Sequence, residues 1–293
     1  VILFAVNLER VPQVHGLVLD LQQSASVPLL IATDHEGGLV SRLTANDGMG
    51  ATVMPSATLV GTAARQLVSR GEADEVAALA EDWGRIIGRE LRALGITLNL
   101  GPVADIDPEG GSGFLGAQRR TFGRDPQLVA ELVAATVTGL RLSGVASAVK
   151  HFPGHGSAQE DSHDDIVALD QTAAELRAVN LVPFEAAIGS GVDVVMSAHV
   201  AFLGVTGNMS PSTLSRYLLT DLLRDELGFT GVVMTDALNM EAVATLDTPA
   251  TLALEAIDAG ADVLLQPEDV EAVHTALVDA VDSGRIARER LES

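Results

Sequence analysis

Between Lys150 and His163 the chain reads KHFPGHGSAQEDSH, and this stretch holds the only lysine and three of the seven histidines. Every other basic residue is arginine. A lone lysine in such company points to a task that needs a compact cation, which the planar guanidinium does not replace. Lys150 and His151 are suited to holding the hydroxyls or carboxylates of a ligand. The alternative is an internal ion pair, and the ligand role is favoured because a buried lysine without a partner is costly. His163 follows Asp161 by two positions. A carboxylate beside an imidazole orients the ring and raises its pKa, which suits proton transfer. By itself, without Asp236, His163 reads as a solvated loop histidine. His155, between Gly154 and Gly156, shapes the turn as readily as it touches a substrate.

Further groups of this kind end other apolar runs. Asp236 directly follows GVVMT, where a carboxylate is a nucleophile, a metal ligand, or the cap of a following helix. Asp34 and Arg42 flank the Gly37-Gly38 turn. They form either a clamp in which Asp34 accepts from two hydroxyls, or an ion pair across the turn. Asp105 and His199 also follow apolar runs, and Arg119 and Arg120 precede Thr121-Phe122-Gly123.

Short apolar runs alternate with longer helical patterns. Strands are predicted at Val1–Val6, Pro28–Thr33, Ile96–Val103, Val145–His151, Asp193–Ser197, Gly231–Thr235 and Asp262–Gln266. Helices are predicted at Val11–Ser24, Ala73–Leu94, Pro126–Leu142, Thr172–Ile188, Pro211–Leu227, Thr248–Ala259, Asp269–Val281 and Ile286–Leu291. The strands are continuously apolar, as expected of parallel strands buried on both faces. Their alternation with helices predicts an α/β fold, a (β/α)8 barrel of the TIM type. Seven strands are found where eight are needed. Val1 opens straight into VILFAV, so the chain reads as a single catalytic domain, residues 1–293, with the first strand upstream. A doubly wound open sheet competes, but no G-x-G-x-x-G turn supports it. In a barrel the strand-end groups share the C-terminal rim. Lys150 and His151 are adjacent on one strand and should face opposite sides unless the strand is bulged there. Residues Glu109–Arg124 read as a surface loop.

The 293 residues carry 40 acidic against 18 basic side chains, a net charge of -22. Such a surface repels nucleic acid and anionic membranes. With no cysteine, disulfides and thiolate metal sites are excluded. No apolar run approaches the length of a membrane span. No cofactor and no metal are expected. The expected compartment is the cytoplasm, or outside it if a leader or lipid anchor precedes Val1. Oligomeric state is not legible.

KHFPGHG followed after four residues by DSH resembles glycoside hydrolase family 3, in its bacterial β-N-acetylglucosaminidase (β-hexosaminidase) branch. DHEGGLVSRL (Asp34 to Leu43), NLGPVADID, RTFGRDP, MSAHV and GFTGVVMTDAL agree, in the family's order and across nearly the whole chain. The resemblance implies a retaining mechanism with Asp236 as nucleophile, forming a glycosyl-enzyme intermediate. It implies His163, paired with Asp161, as the acid and base. It implies Asp34, Arg42, Arg120, Lys150 and His151 as sugar-binding groups; Asp105 and His199, at strand ends on the same rim, are further substrate-binding candidates. The implied partner is a carbohydrate bearing terminal N-acetylglucosamine, such as a peptidoglycan-derived muropeptide. The chain departs from the pattern at His35, where glutamine is common, at Leu39, where arginine is frequent, and at Ala237, where an acidic neighbour usually follows the nucleophile. A β-glucosidase, a β-xylosidase and a phosphorylase of the same family are the near alternatives. A metal-dependent hydrolase on the same barrel and a non-catalytic sugar-binding module are the remote ones.

Overall fold

The computed structural model describes residues 1–108, 110–111, 113–159 and 166–292. Its centre is a parallel sheet of β1 (Ala32–Thr33), β2 (Leu98–Asn99), β3 (Ala146–Phe152), β4 (Val194–Ser197) and β5 (Val232–Met234), whose spatial order follows the sequence. Two flanking segments extend it. The Leu3 amide donates to the Ala32 carbonyl and the Ala32 amide to Val1, each at 2.8 Å. At the other edge Val263 pairs in parallel with Met234. The result is seven parallel segments in chain order, joined through helices, an α/β arrangement. Among the described residues no ladder joins the Val263 edge to Val1–Leu3. An apolar groove of about 800 Å³, lined by Ile2, Leu30, Val263, Leu265 and Leu277, lies there instead.

Both faces of the sheet are apolar, and the alternation explains why the strand runs read as unbroken. Ala32, Leu98, Ala148, Val194, Met196 and Met234 cluster on the inner face. Val149, Val195 and Val233 point the other way and join the core under the helices. That outer layer comprises α1 (Val11–Ser24), α2 (Ala57–Ser69), α3 (Val76–Ala93), α4 (Pro126–Leu142), α5 (Leu181–Gly189), α6 (Pro249–Ala259) and α7 (Val270–Asp282). Their starts are written in the sequence. Asp125 caps α4 by accepting from the Gln127 and Leu128 amides, and Pro126 occupies a first-turn position where its missing N–H costs nothing. Ser56, Thr248 and Asp269 cap α2, α6 and α7 in the same way. Helices α3 and α4 meet backbone to backbone. A Cβ at Gly139 would lie 2.1 Å from the Glu81 carbonyl oxygen.

Several elements depart from the expectation. Helix α2 was not predicted; its buried positions are Ala57, Val60, Gly61 and Ala64, too small to give a strong periodic signal. The segment after Pro211 does not enter a helix at once. Ser212 and Thr213 turn back to donate to the Val200 and Ala198 carbonyls, and a π-helical segment then runs over Tyr217–Glu226. The stretch expected as a surface loop contains a helical turn, Phe114–Ala117, and buries Leu115, Thr121 and Phe122. Phe122 sits edge-on to Trp83 with ring centroids 5.6 Å apart, so an aromatic ring draws the segment inward.

Candidate active site

Asp34 leaves β1 at its C-terminal end. The chain then folds into a small antiparallel hairpin, His35–Gly37 against Val40–Ser41. The turn has positive φ at Gly37 (75°) and Gly38 (60°), and a Cβ on Gly37 would approach the Pro55 carbonyl oxygen to 2.3 Å. Glycine is needed there on both counts. The reversal returns Arg42 to Asp34, with a guanidinium nitrogen 3.8 Å from the carboxylate. Because side chains alternate along extended chain, Glu36 faces the same way as Asp34.

Lys150 lies between these two carboxylates. Its ammonium is 2.7 Å from Asp34 and 2.7 Å from Glu36. Arg120 closes the far side with two parallel N–H donors to Glu36, both at 2.9 Å. This fork-on-carboxylate geometry is the strong, oriented form of ion pair. Burial pushes the Glu36 carboxyl upward, but Lys150 and Arg120 outweigh it and hold the group well below the usual carboxylate range. Burial pulls Lys150 downward, and Asp34 and Glu36 more than restore it, so its pKa is raised. Arg120 is raised too: burial opposes its charge, and Glu36 prevails. All these groups are therefore charged at neutral pH.

Lys150 and His151 both line one cleft of about 340 Å³. Regular alternation would separate them. The register of β3 against β4 slips between Val149 and Phe152, and the Lys150–His151 and Phe152–Pro153 peptides are cis. Behind His151, Asp105 accepts from the ring Nδ1 at 2.7 Å, the His151 amide at 3.2 Å and the His155 amide at 2.5 Å. Burial raises the Asp105 pKa, and the charges and N–H groups of His151 and His155 overcome this and lower it. His155, buried and beside His151, is lowered to about 4.

Asp236 follows β5 and lines the same cleft. No helix begins on it; its Oδ1 accepts from the Ala237 amide at 2.8 Å. Burial alone would raise its pKa. His151, His199, the Ala237 amide and Lys150 reverse the shift and keep the carboxyl below its ordinary value. His199 is fully buried: Nε2 donates to the Ala237 carbonyl at 3.0 Å, and Nδ1 lies 2.9 Å from the Thr213 hydroxyl. It braces the loop that carries Asp236.

The structure thus gathers Asp34, Arg42, Arg120, Lys150, His151 and Asp236 around one cleft. Asp105 and His199 stand behind it, in contact with lining residues rather than on the lining itself. Asp161 and His163 lie outside the described residues. Sequence reasoning passed over Glu36, although its i, i+2 spacing from Asp34 signals a shared face. It also passed over Asn239 and Gln266, two uncharged amides on the lining. Among the described residues no group of three acidic or histidine side chains could hold a metal ion. The arrangement suits chemistry on a small polyhydroxylated ligand: carboxylates and fixed cations to hold hydroxyls, with Asp236 among them on the lining.

The glycosyl hydrolase family 3 N-terminal domain model matches residues 1–293. A beta-hexosaminidase of Chromobacterium violaceum is 38% identical over 280 residues, covering 94% of this chain and 74% of that protein. One from Stenotrophomonas maltophilia is 37% identical over 277 residues, covering 94% and 78%. Among solved structures, a family 3 beta-N-acetylglucosaminidase from Paenibacillus superposes with a TM-score of 0.90 at 42% identity, covering 99% of this chain and 53% of that one. This chain therefore spans about half the length of the Paenibacillus enzyme. NagZ from Neisseria gonorrhoeae gives 0.83 at 32% identity, covering 99% and 79%. The cleft and these matches together identify the chain as a member of glycosyl hydrolase family 3, corresponding to its N-terminal domain.

Proposed function

We propose that this chain is the catalytic domain of a retaining β-N-acetylhexosaminidase that removes terminal β-linked N-acetylglucosamine, with peptidoglycan fragments as the natural source. The observation that carries this reading is Asp236: a half-buried carboxylate whose pKa His151, His199, the Ala237 amide and Lys150 hold below its ordinary value, at the end of a parallel strand, in a cleft lined by Asp34, Arg42, Arg120, Lys150 and His151. In the first step an Asp236 oxygen forms a bond to the anomeric carbon while the glycosidic C–O bond breaks. The leaving oxygen takes a proton from His163, which Asp161 orients. In the second step neutral His163 removes a proton from water, the water oxygen bonds to the anomeric carbon, and Asp236 departs as carboxylate. The two displacements retain the β configuration. The family signature around Asp161 and His163 supports their role. Seven parallel segments in sequential order support a barrel wall, with an eighth strand seated at the apolar groove.

The test is release of nitrophenol from 4-nitrophenyl N-acetyl-β-glucosaminide by the full-length protein with EDTA present, beside Asp236→Ala. Release by the parent and none by the variant is the expected result. Release by Asp236→Ala at the parental rate would refute the nucleophile assignment. Loss of parental activity in EDTA would direct attention to a metal-dependent mechanism.

A further inference from the structure

Gln266 has φ of +47°, and Arg119 has φ of +58°; among the described residues they are the non-glycine residues in left-handed backbone. Such a conformation is uncommon for a glutamine and persists only where the surroundings enforce it. It also precedes Pro267, a position that ordinarily takes extended backbone. Gln266 is the one of the two on the cleft lining. Arg119 sits next to the Arg120 that grips Glu36, and Gln266 lies on the lining beside Asp236.

The position of Gln266 relative to the nucleophile is fixed by three hydrogen bonds. The Thr235 amide donates to Val263 at 3.0 Å, the Leu265 amide to the Thr235 hydroxyl at 2.9 Å, and the Leu238 amide to Leu265 at 2.8 Å. The segment entering Gln266 is thereby stitched to residues on both sides of Asp236. The polar lining is otherwise made of ionisable groups: Asp34, Arg42, Arg120, Lys150, His151 and Asp236. Its uncharged hydrogen-bonding side chains are Gln266 and Asn239. Met240 and Leu265 add apolar surface next to them. A carboxamide matches an amide with one donor and one acceptor, and the adjacent apolar surface suits a methyl group. A substituent on the carbon next to the anomeric centre must lie close to the group that attacks that centre.

Resting on the reading that Asp236 is a glycosidase nucleophile, we infer that Gln266 is a specificity-determining residue whose carboxamide, with that of Asn239, reads the acetamido group next to the anomeric carbon of the sugar. A site that hydrogen-bonds a substituent discriminates against the analogue that lacks it, because that bond is lost with the substituent.

The experiment measures kcat/KM of the full-length protein on 4-nitrophenyl N-acetyl-β-glucosaminide and on 4-nitrophenyl β-glucoside, for the parent, Gln266→Ala, Gln266→Asn and Gln266→Gly. Gln266→Ala is expected to lose about 10-fold on the acetamido sugar, as for one hydrogen bond left unmade. Its loss on the glucoside should be clearly smaller, so that the ratio of kcat/KM between the two sugars falls, since no acetamido contact exists to lose there. Gln266→Asn, which keeps the amide and tolerates left-handed backbone, should recover part of the loss. Gln266→Gly relieves the backbone, so its Tm should equal or exceed that of the parent while its discrimination falls like that of Gln266→Ala. A purely structural role would instead tie discrimination to stability. Equal losses on both sugars, or no change on either, would overturn the inference while leaving the glycosidase reading intact. A parent inactive on both substrates would overturn that reading and this one with it.

Discussion

Replacing Lys150 by methionine tests the electrostatic core of the cleft. The ammonium is 3% exposed and lies 2.7 Å from each of two carboxylates. Its removal leaves Asp34 with Arg42 at 3.8 Å and Glu36 with Arg120 alone. Deleting one partner of a buried pair costs about 3–5 kcal/mol. For a chain of this size that is a fall of roughly 6–20 °C in Tm. The pH dependence carries the sharper sign. In the parent, Glu36 titrates below its unfolded value, so its stabilisation is present above the ordinary glutamate pKa and is lost as pH falls toward the folded value. Without Lys150 the buried Glu36 carboxylate is under-compensated and its pKa rises. The variant should therefore be weakest against the parent near pH 7, and the gap should narrow as pH falls through about 5, where the carboxyls take up protons. Urea unfolding can be followed by the fluorescence of the single tryptophan, Trp83, which is 5% exposed against Phe122. A variant within 1 kcal/mol of the parent at pH 7, or a gap that widens on acidification, would refute this account of the cleft.

His35 is fully buried and its pKa is lowered to about 4, burial outweighing the charge of Glu90. The unfolded chain takes up this proton first, so about 3 kcal/mol of stability is lost between pH 6.5 and 4, and His35→Gln should flatten the slope of unfolding free energy measured across that range. Asp105→Asn removes the charge that accepts from His151 and His155, and kcat/KM for nitrophenol release should fall about 10- to 100-fold, the worth of a charged hydrogen bond. Gly139→Ala forces a Cβ against the Glu81 carbonyl oxygen between α3 and α4 and should cost about 1–3 kcal/mol in urea unfolding with little change in KM.

The parallel sheet was legible because its strands are apolar on both faces, and α1 and α4 begin and end where their spacing places them, α4 with the Asp125 cap at its start. The strand-end groups were legible because charge after an apolar run stands out. What was not legible depends on contacts distant in sequence. Glu36 gains its role from Arg120, 84 positions away, and from Lys150. That Lys150 and His151 share a face rests on a register slip against β4, which no local pattern records. His199 read as a substrate contact because it ends a strand. Its bonds to Thr213 and Ala237 come from a chain reversal after Pro211 that a helical reading of that segment concealed.

The single lysine also makes this stretch of chain unusually simple to interrogate with chemistry. A lysine-specific protease has one internal peptide bond to cut, after Lys150, in the middle of β3 and on a side chain 3% exposed. Cleavage there requires the central sheet to come apart, so its rate reports the population of globally opened molecules when reclosing is fast. The same scarcity governs amine-directed labelling. In the native state the Lys150 amine is protonated and enclosed by carboxylates, so surface coupling through amines leaves the cleft unmodified.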